Sequence, residues 1–456
     1  MNGQSKKTAL VVGLAKSGLA AAEALVDRAV QVIATDLQTG PLMQDKAAKL
    51  RSMGVQVVLG EHPLSLLDQA DYIVVSPGVP DTAPLMIEAK QRKLPILSEP
   101  ELAYRFYPGP YLAVTGSNGK TTTTTWVGEA LAAGQIPAVV AGNIGRPLTE
   151  AVSHLEPGSW VVAEMSSFQL DYTEQFHPPV CTVLNLSQDH LDRHGSFAAY
   201  MAAKARIFAR QEPDDILILN ADDKYSAELA ATAGSKLIYF SRRQILNEGA
   251  WVEDDHIVLG WEGERTKICR TYEVGIPGAH NLENALATVC LARAAGVTPA
   301  AIARTLKSFA GVEHRCEKVA VLNEVLYVND SKGTNPDASV KALEAFTEPT
   351  ILIAGGRDKG TNLDDLVLAI KRRCRAVILI GEATPKFRRV LTSSGFTPVL
   401  EAETLPEAVK LAHDLACPGD IVLLSPACAS FDMFSSYEHR GQVFKRAVEE
   451  LGGDRA

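Results

Sequence analysis

A three-domain α/β protein is predicted by three observations. The chain has 456 residues, too many for one ordinary core. Strand-like apolar runs alternate with helix-like stretches near both ends, the mark of parallel sheets with crossover helices. Between them lies one glycine loop, Gly116-Ser117-Asn118-Gly119-Lys120-Thr121-Thr122, after an apolar run at 111–114 and before helical spacing from 122 to about 133. The expected architecture is a Rossmann-like N-terminal domain over 1–98, a central P-loop ATPase-like domain over 99–311 and a Rossmann-like C-terminal domain over 312–456.

Composition narrows the class. Hydrophobic content of 46% and charged content of 22% describe a soluble globular chain. A net charge of -9 argues against a nucleic-acid partner, although a local basic cleft for a small anion is compatible with it. Seven scattered cysteines without a C-x-x-C pair read as reduced thiols in a cytosolic protein. Lys6 and Lys7 precede an apolar run ending at Gly13, which is a first strand rather than a signal peptide. No apolar run is long enough to span a bilayer.

In the first stretch, strands are expected at 8–12, 31–35, 55–59 and 72–75, with helices at 19–28 and 84–92. The second strand ends at Asp36, where an acid suits a ribose or base edge. The first turn, Gly13-Leu14-Ala15-Lys16-Ser17-Gly18, has Ala15 where a dinucleotide fingerprint has its second glycine, so a mononucleotide-type binder is favoured over an NAD domain. A domain of this kind without a ligand fits the residues as well. The fourth strand runs into Ser76-Pro77-Gly78, at the edge where ligands bind in open α/β folds.

The central glycine loop carries the chemistry of a triphosphate site. Its glycines let backbone N–H groups face phosphate oxygens, Lys120 adds a positive charge, and the Thr121 hydroxyl can reach Mg²⁺. The spacing is shorter than the usual P-loop, since Val114 stands where the first glycine is expected and Gly116 is the nearer one. The next apolar run, 160–163, ends at Glu164, the place of a Mg²⁺-ordering carboxylate. A strand at 181–186 opens onto Ser187-Gln188-Asp189-His190-Leu191-Asp192-Arg193-His194, read as a metal or phosphate contact. The helix expected at 196–210 carries Lys204, which by spacing alone is a solvated lysine. Asn281 and Asn284 share a helix face; by spacing they are an N-cap and a surface amide.

In the last stretch, strands at 325–328, 350–354, 375–380 and 421–424 end in polar, glycine-containing turns. Lys332, Thr334, Lys359 and Ser430 then fall at one sheet edge and suit an anionic small molecule with two carboxylates. This domain has no P-loop of its own and is expected to hold a second reactant.

The runs Thr115 to Thr122, Glu164 to Leu170, Asn185 to Asp192, Gly278 to Asn284, Glu313-His314-Arg315, Asp330-Ser-Lys-Gly-Thr-Asn-Pro336 and Ser425-Pro-Ala-Cys-Ala-Ser430 resemble the Mur ligases of bacterial peptidoglycan synthesis, in order and over the whole chain. Within that family the resemblance is closest to the branch that joins D-glutamate to UDP-N-acetylmuramoyl-L-alanine. It implies ATP and Mg²⁺ as cofactors, those small molecules as the only partners, no nucleic acid, no membrane, and a cytoplasmic monomer. It implies catalytic roles for Lys120, Glu164, His190 and Lys204, with Thr121, Glu164, His190 and a carbamylated Lys204 as metal ligands. ATP would meet the glycine loop, Asn281, Asn284, Arg315 and Asp330. The UDP substrate would meet Asp36, Ser76, Pro77, Gly78 and Asn143. The amino acid would meet Lys332, Thr334, Lys359, Ser430, Phe431 and Tyr437. Two other classes fit parts of the chain: an amide ligase with another amino acid or acceptor, and a nucleotide-hydrolysing switch. The strand-end lysines of the third domain have no role in a switch.

Overall fold

Continuous apolar runs build the sheets of the protein, whose computed structural model describes residues 7–358 and 360–453. Strands β1 (Thr8–Val12), β2 (Gln31–Asp36), β3 (Gln56–Leu59), β4 (Tyr72–Val75) and β5 (Ile96–Ser98) form an all-parallel sheet in the order β3-β2-β1-β4-β5. Every residue of β1 is buried, as expected for a strand covered by helices on both faces. The order reverses between β1 and β4, and there the Ser76 hydroxyl donates to Gly13 O at 3.0 Å. Gly18 is required at this junction: a Cβ on it would lie 1.8 Å from Gly13 O.

The second sheet has β6 (Tyr111–Thr115), β7 (Ala138–Gly142), β8 (Trp160–Glu164), β9 (Val180–Val183), β10 (Ile216–Asn220), β11 (Lys236–Ser241), β12 (Gly249–Glu253), β13 (His256–Trp261) and β14 (Glu264–Arg270), in the order β14-β13-β12-β11-β10-β9-β6-β8-β7. Strand β6 lies between β8 and β9, so the glycine loop leaves the sheet beside the ends of both. The pairs β12–β13 and β13–β14 are antiparallel, a meander that the sequence reading did not foresee. The strand expected to continue to Leu186 ends at Val183. Beyond it the chain follows the glycine loop instead: Leu184 N–H donates to Thr115 O and Ser117 N–H to Asn185 O. The helix expected over 196–210 is an α-helix at Phe197–Ala205 and a 3₁₀ turn at Arg206–Phe208, N-capped by Ser196.

In the third sheet, β15 (Glu317–Leu322), β16 (Val325–Asn329), β17 (Thr350–Gly355), β18 (Cys374–Ile380), β19 (Val399–Glu401) and β20 (Ile421–Leu424) run in the order β15-β16-β20-β17-β18-β19. All neighbours are parallel except β15–β16. The chain folds as two compact units, one running to Glu273 and including Glu283–Lys307, the other made of Val274–Leu282 and everything from Ser308 onward. The first two sheets belong to the first unit. Among the described residues no helix is long and apolar enough to cross a membrane.

Candidate active site

In the first unit the glycine loop is held open by its own backbone. Gly116 and Gly119 have φ of 148° and 83°, and a Cβ on Gly119 would meet Asn284 Oδ1 at 2.2 Å. Helix Lys120–Ala133 starts directly after Gly119, two residues earlier than its spacing indicates, and so aims its N-terminal amides along the loop. Lys120 Nζ donates to Gly116 O at 2.9 Å and Ser117 O at 3.0 Å.

Asn185 grips the loop from outside. Its Oδ1 accepts Asn118 N–H at 2.9 Å, and its Nδ2 donates to Asn118 O at 3.1 Å. Ser117 is fixed as well, by Ser187 N–H at 2.9 Å and by the Tyr200 hydroxyl at 3.0 Å. Asn185 was not singled out in the sequence; the only trace was its place in the run from Asn185 to Asp192. Asn281 and Asn284 are 6% and 5% exposed, which corrects the surface-amide reading. Asn284 accepts from the Thr123 hydroxyl at 3.4 Å, while Asn281, in the second unit, donates to Pro277 O at 2.6 Å.

Lys204 is 2% exposed, so spacing misread it as solvated. Its Nζ donates to Gly116 O at 2.8 Å and lies 4.7 Å from the centroid of the Tyr200 ring. Burial, and then the like charge of Lys120, hold its pKa well below the usual lysine value, against the opposing pull of Asp189 and Glu164. Glu164 is buried at the end of β8; Asn143 Nδ2 donates to its Oε1 at 2.8 Å, and its Oε2 has no hydrogen-bond partner among the described residues. Asn143, expected beside the UDP substrate, thus touches the expected metal carboxylate. His190 takes φ of 51°, a left-handed conformation uncommon outside glycine, and Asp189 Oδ1 accepts its N–H at 3.0 Å. Asp189, part of the run expected to meet metal or phosphate but given no role of its own, acts electrostatically on Lys204.

At the β1–β4 junction, Asp36 Oδ2 accepts Leu14 N–H at 2.5 Å and its Oδ1 accepts Gln38 N–H at 2.8 Å, so Asp36 also shapes the first turn. Ser76 lies buried in the facing turn with Pro77 and Gly78.

In the second unit the turns after β16 and β20 adjoin. Asp330 is buried, accepts the Ser425 hydroxyl at 2.7 Å, and has its pKa pushed up to about 6, chiefly by burial. Arg315 lies within its electrostatic reach. Lys332 Nζ sits 5.2 Å from the centroid of the Tyr437 ring. Thr334 N–H donates to Lys332 O at 2.9 Å; Ser430 is buried, and Phe431 is 66% exposed. Lys359 lies outside the described residues. Arg440, which the sequence reading passed over, is fully buried: it donates to Ser331 Oγ at 2.9 Å, Ser331 O at 2.7 Å and Cys428 O at 3.2 Å.

The profile described as "Mur ligase MurD-like, N-terminal domain" matches residues 7–98, "Mur ligase middle domain" matches 114–292, and "Mur ligase, glutamate ligase domain" matches 314–428. The chain is 45% identical over 447 residues to the UDP-N-acetylmuramoylalanine--D-glutamate ligase of Pelotomaculum thermopropionicum, covering 98% of each chain. It is 46% identical over 444 residues to the protein of the same name from Acidobacterium capsulatum, covering 97% of this chain and 96% of that one. In fold it is similar to the UDP-N-acetylmuramate-alanine ligase of Thermotoga maritima (TM-score 0.61, 20% identity, 98% and 100% of the two chains). A pseudomurein peptide ligase type C from Methanothermus fervidus is similar to the same degree (TM-score 0.61, 19% identity, 98% and 100%). The chain belongs to the Mur ligase family.

Proposed function

We propose that this chain is the ATP-dependent ligase that joins D-glutamate to UDP-N-acetylmuramoyl-L-alanine, in cytoplasmic peptidoglycan precursor synthesis. Relatives of that name, alike over nearly the whole chain, support the substrates. The observation that carries the chemistry is the glycine loop with a lysine on each side of Gly116 O, Lys120 at 2.9 Å and Lys204 at 2.8 Å. We assign the UDP substrate to residues 1–98, ATP to 99–311 and the amino acid to 312–456, in a monomer.

The acceptor carboxylate is a poor acylating agent, because its leaving group would be oxide. Its oxygen attacks the γ-phosphorus of ATP, the bond to ADP breaks, and the acyl phosphate formed has phosphate as leaving group. Lys120 and the loop amides spread the charge on the transferring phosphoryl group. The D-glutamate amine then adds to the acyl carbon, loses a proton and expels phosphate. Asn281, Asn284, Arg315 and Asp330 are assigned to ATP, and Asp36, Ser76, Pro77, Gly78 and Asn143 to the UDP substrate. Lys332, Thr334, Lys359, Ser430, Phe431 and Tyr437 are assigned to D-glutamate.

The buried, half-partnered Glu164 carboxylate fits a hard cation, and Thr121, Glu164, His190 and a carbamylated Lys204 would hold Mg²⁺. When bound, Mg²⁺ supplies charge neutralisation at the phosphates. Carbamylation needs a neutral amine, and the depressed pKa of Lys204 favours one. The nitrogen lone pair adds to the carbon of CO₂, a proton leaves, and the side chain changes from cation to anion.

Phosphate release with ATP and UDP-N-acetylmuramoyl-L-alanine, with each candidate amino acid in turn, tests the assignment. D-Glutamate is expected to support it, and L-lysine or meso-diaminopimelate is not; faster release with either would overturn the reading. Lys359→Ala is expected to raise the KM for D-glutamate much more than that for ATP, by about 1.5–3 kcal/mol of lost charge pairing. An unchanged D-glutamate KM removes Lys359 from the site.

A further inference from the structure

Arg193 stands three residues after His190, in the single turn Leu191–His194, and reaches across 114 residues of sequence. Its Nη2 donates to Val79 O at 2.8 Å. Val79 closes the turn that carries Ser76, Pro77 and Gly78, since its own N–H donates to Ser76 O at 3.0 Å. One guanidinium N–H therefore holds that turn by its last carbonyl.

The other side of the guanidinium faces an aromatic ring. The Arg193 guanidinium carbon is 5.0 Å from the centroid of Phe168. The same ring meets His190 edge-on at 4.8 Å and stacks on His194 at 5.4 Å with an interplanar angle of 13°. His194 is pinned in turn, its Nε2 lying 2.9 Å from Ser167 Oγ. Asp81 on the β4 side and Asp171 on the Phe168 side both lie within electrostatic reach of Arg193. A path from Val79 O to the His190 ring thus runs through Arg193 and Phe168, with a carboxylate in electrostatic reach of the cation on either side. All of these residues belong to the first unit.

We infer that Arg193 is a positioning residue: it ties the 76–79 turn to the His190 ring through Phe168, so that a nucleotide-sugar seated on the turn fixes where His190 stands. This rests on the assignment of 76–78 to the UDP substrate. Lysine is a poor replacement for arginine here, because a compact ammonium lacks the planar fork that sits over the Phe168 ring while donating to Val79 O. It does keep the charge that Asp81 and Asp171 face, so Arg193→Lys is the variant best suited to fold.

The test compares Arg193→Lys and Arg193→Ala with the wild type. Both are expected to lose kcat by about tenfold or more. The KM for ATP, the calorimetric Kd for UDP-N-acetylmuramoyl-L-alanine and the unfolding midpoint of Arg193→Lys are expected to stay within about threefold or within error of the wild type. In a His190→Ala background the same Arg193→Lys change should cost less than about twofold, since its route of action is gone. An unchanged kcat, a loss confined to acceptor affinity, or an equal cost in both backgrounds overturns the proposal. A second readout needs no turnover: UDP alone should shift the NMR resonances of the His190 ring in the wild type and leave them unmoved in Arg193→Lys. Equal shifts in the two proteins refute the linkage, and they do so whatever amino acid the enzyme is found to ligate.

Discussion

Lys204 in the first unit and Arg440 in the second are both buried cations, and they meet desolvation in opposite ways. Lys204 is buried beside a second lysine, so its ammonium form is disfavoured in spite of a carbonyl acceptor and an aromatic face. Arg440 spreads its charge over three acceptors on two turns, and burial lowers its pKa only to about 10, so it stays charged. On the proposed carbamylation, the difference separates a group that changes chemical state from one that holds its neighbours still. A lysine beside another cation in a dry site is available as a nucleophile. A guanidinium aimed at carbonyls and a hydroxyl is a brace.

Four tests can break that contrast, the first two through activity. Lys120→Ala is expected to reduce kcat by about a hundredfold to a thousandfold with the fold intact, since it removes both a phosphate contact and the like charge acting on Lys204. Near-normal turnover with an unchanged melting curve would take the glycine loop out of the mechanism. Lys204→Ala is expected to lose activity nearly as far, about a hundredfold, with partial recovery in acetate or formate, which restore an anion. Lys204→Arg keeps the positive charge and should stay inactive; full activity of either variant breaks the idea of a lysine that becomes an anion.

The third test reads stability, where the two cations should part company. Arg440→Met leaves Ser331 and Cys428 acceptors without their donor and is expected to cost about 2–4 kcal/mol in urea unfolding. Lys204→Met removes a disfavoured charge and should be neutral or stabilising by about 1 kcal/mol. If both shift the midpoint in the same direction, the contrast is wrong.

The fourth test concerns Asp330, beside the turn that Arg440 braces. Its folded pKa of about 6 lies above the ordinary 3.8, so between those values the folded chain holds a proton that the unfolded chain has lost. Its contribution is therefore complete below about pH 3.8 and is lost as pH rises to about 6, on the order of 3 kcal/mol in all. Asp330→Asn should flatten that part of the stability–pH curve. An unaltered slope in the variant would show that Asp330 is not the group responsible.

What could be read from sequence was local. The apolar run that becomes β8 ends at Glu164, and a strand ending in an acid is legible as it stands. The strand-end turns that carry Lys332 and Ser430 were legible for the same reason, because β16, β20 and β17 are neighbours in a parallel sheet. What escaped depends on distant partners. Helical spacing shows which residues share a face but not whether another element covers it. Lys204 and Asn284 therefore read as surface groups and Arg440 was passed over, although each is buried against residues about 90 to 160 positions away. The β12–β14 meander was missed because β14 is mostly polar and the tight turns, Asp254-Asp255 and Glu262-Gly263, lie in a charged stretch.

Asn185 holds one residue of the glycine loop, Asn118, by both its N–H and its C=O, at 2.9 and 3.1 Å. A phosphate-binding loop of glycines is otherwise the segment with the most backbone freedom to lose when its ligand arrives. Here the ordering is done when the chain folds. On the proposed function, nucleotide capture then calls for the rearrangement of the Lys120 side chain, bonded here to Gly116 O and Ser117 O, rather than the freezing of a backbone. Association should then be fast and only weakly opposed by entropy, as for a rigid receptor rather than a loop that closes around its ligand.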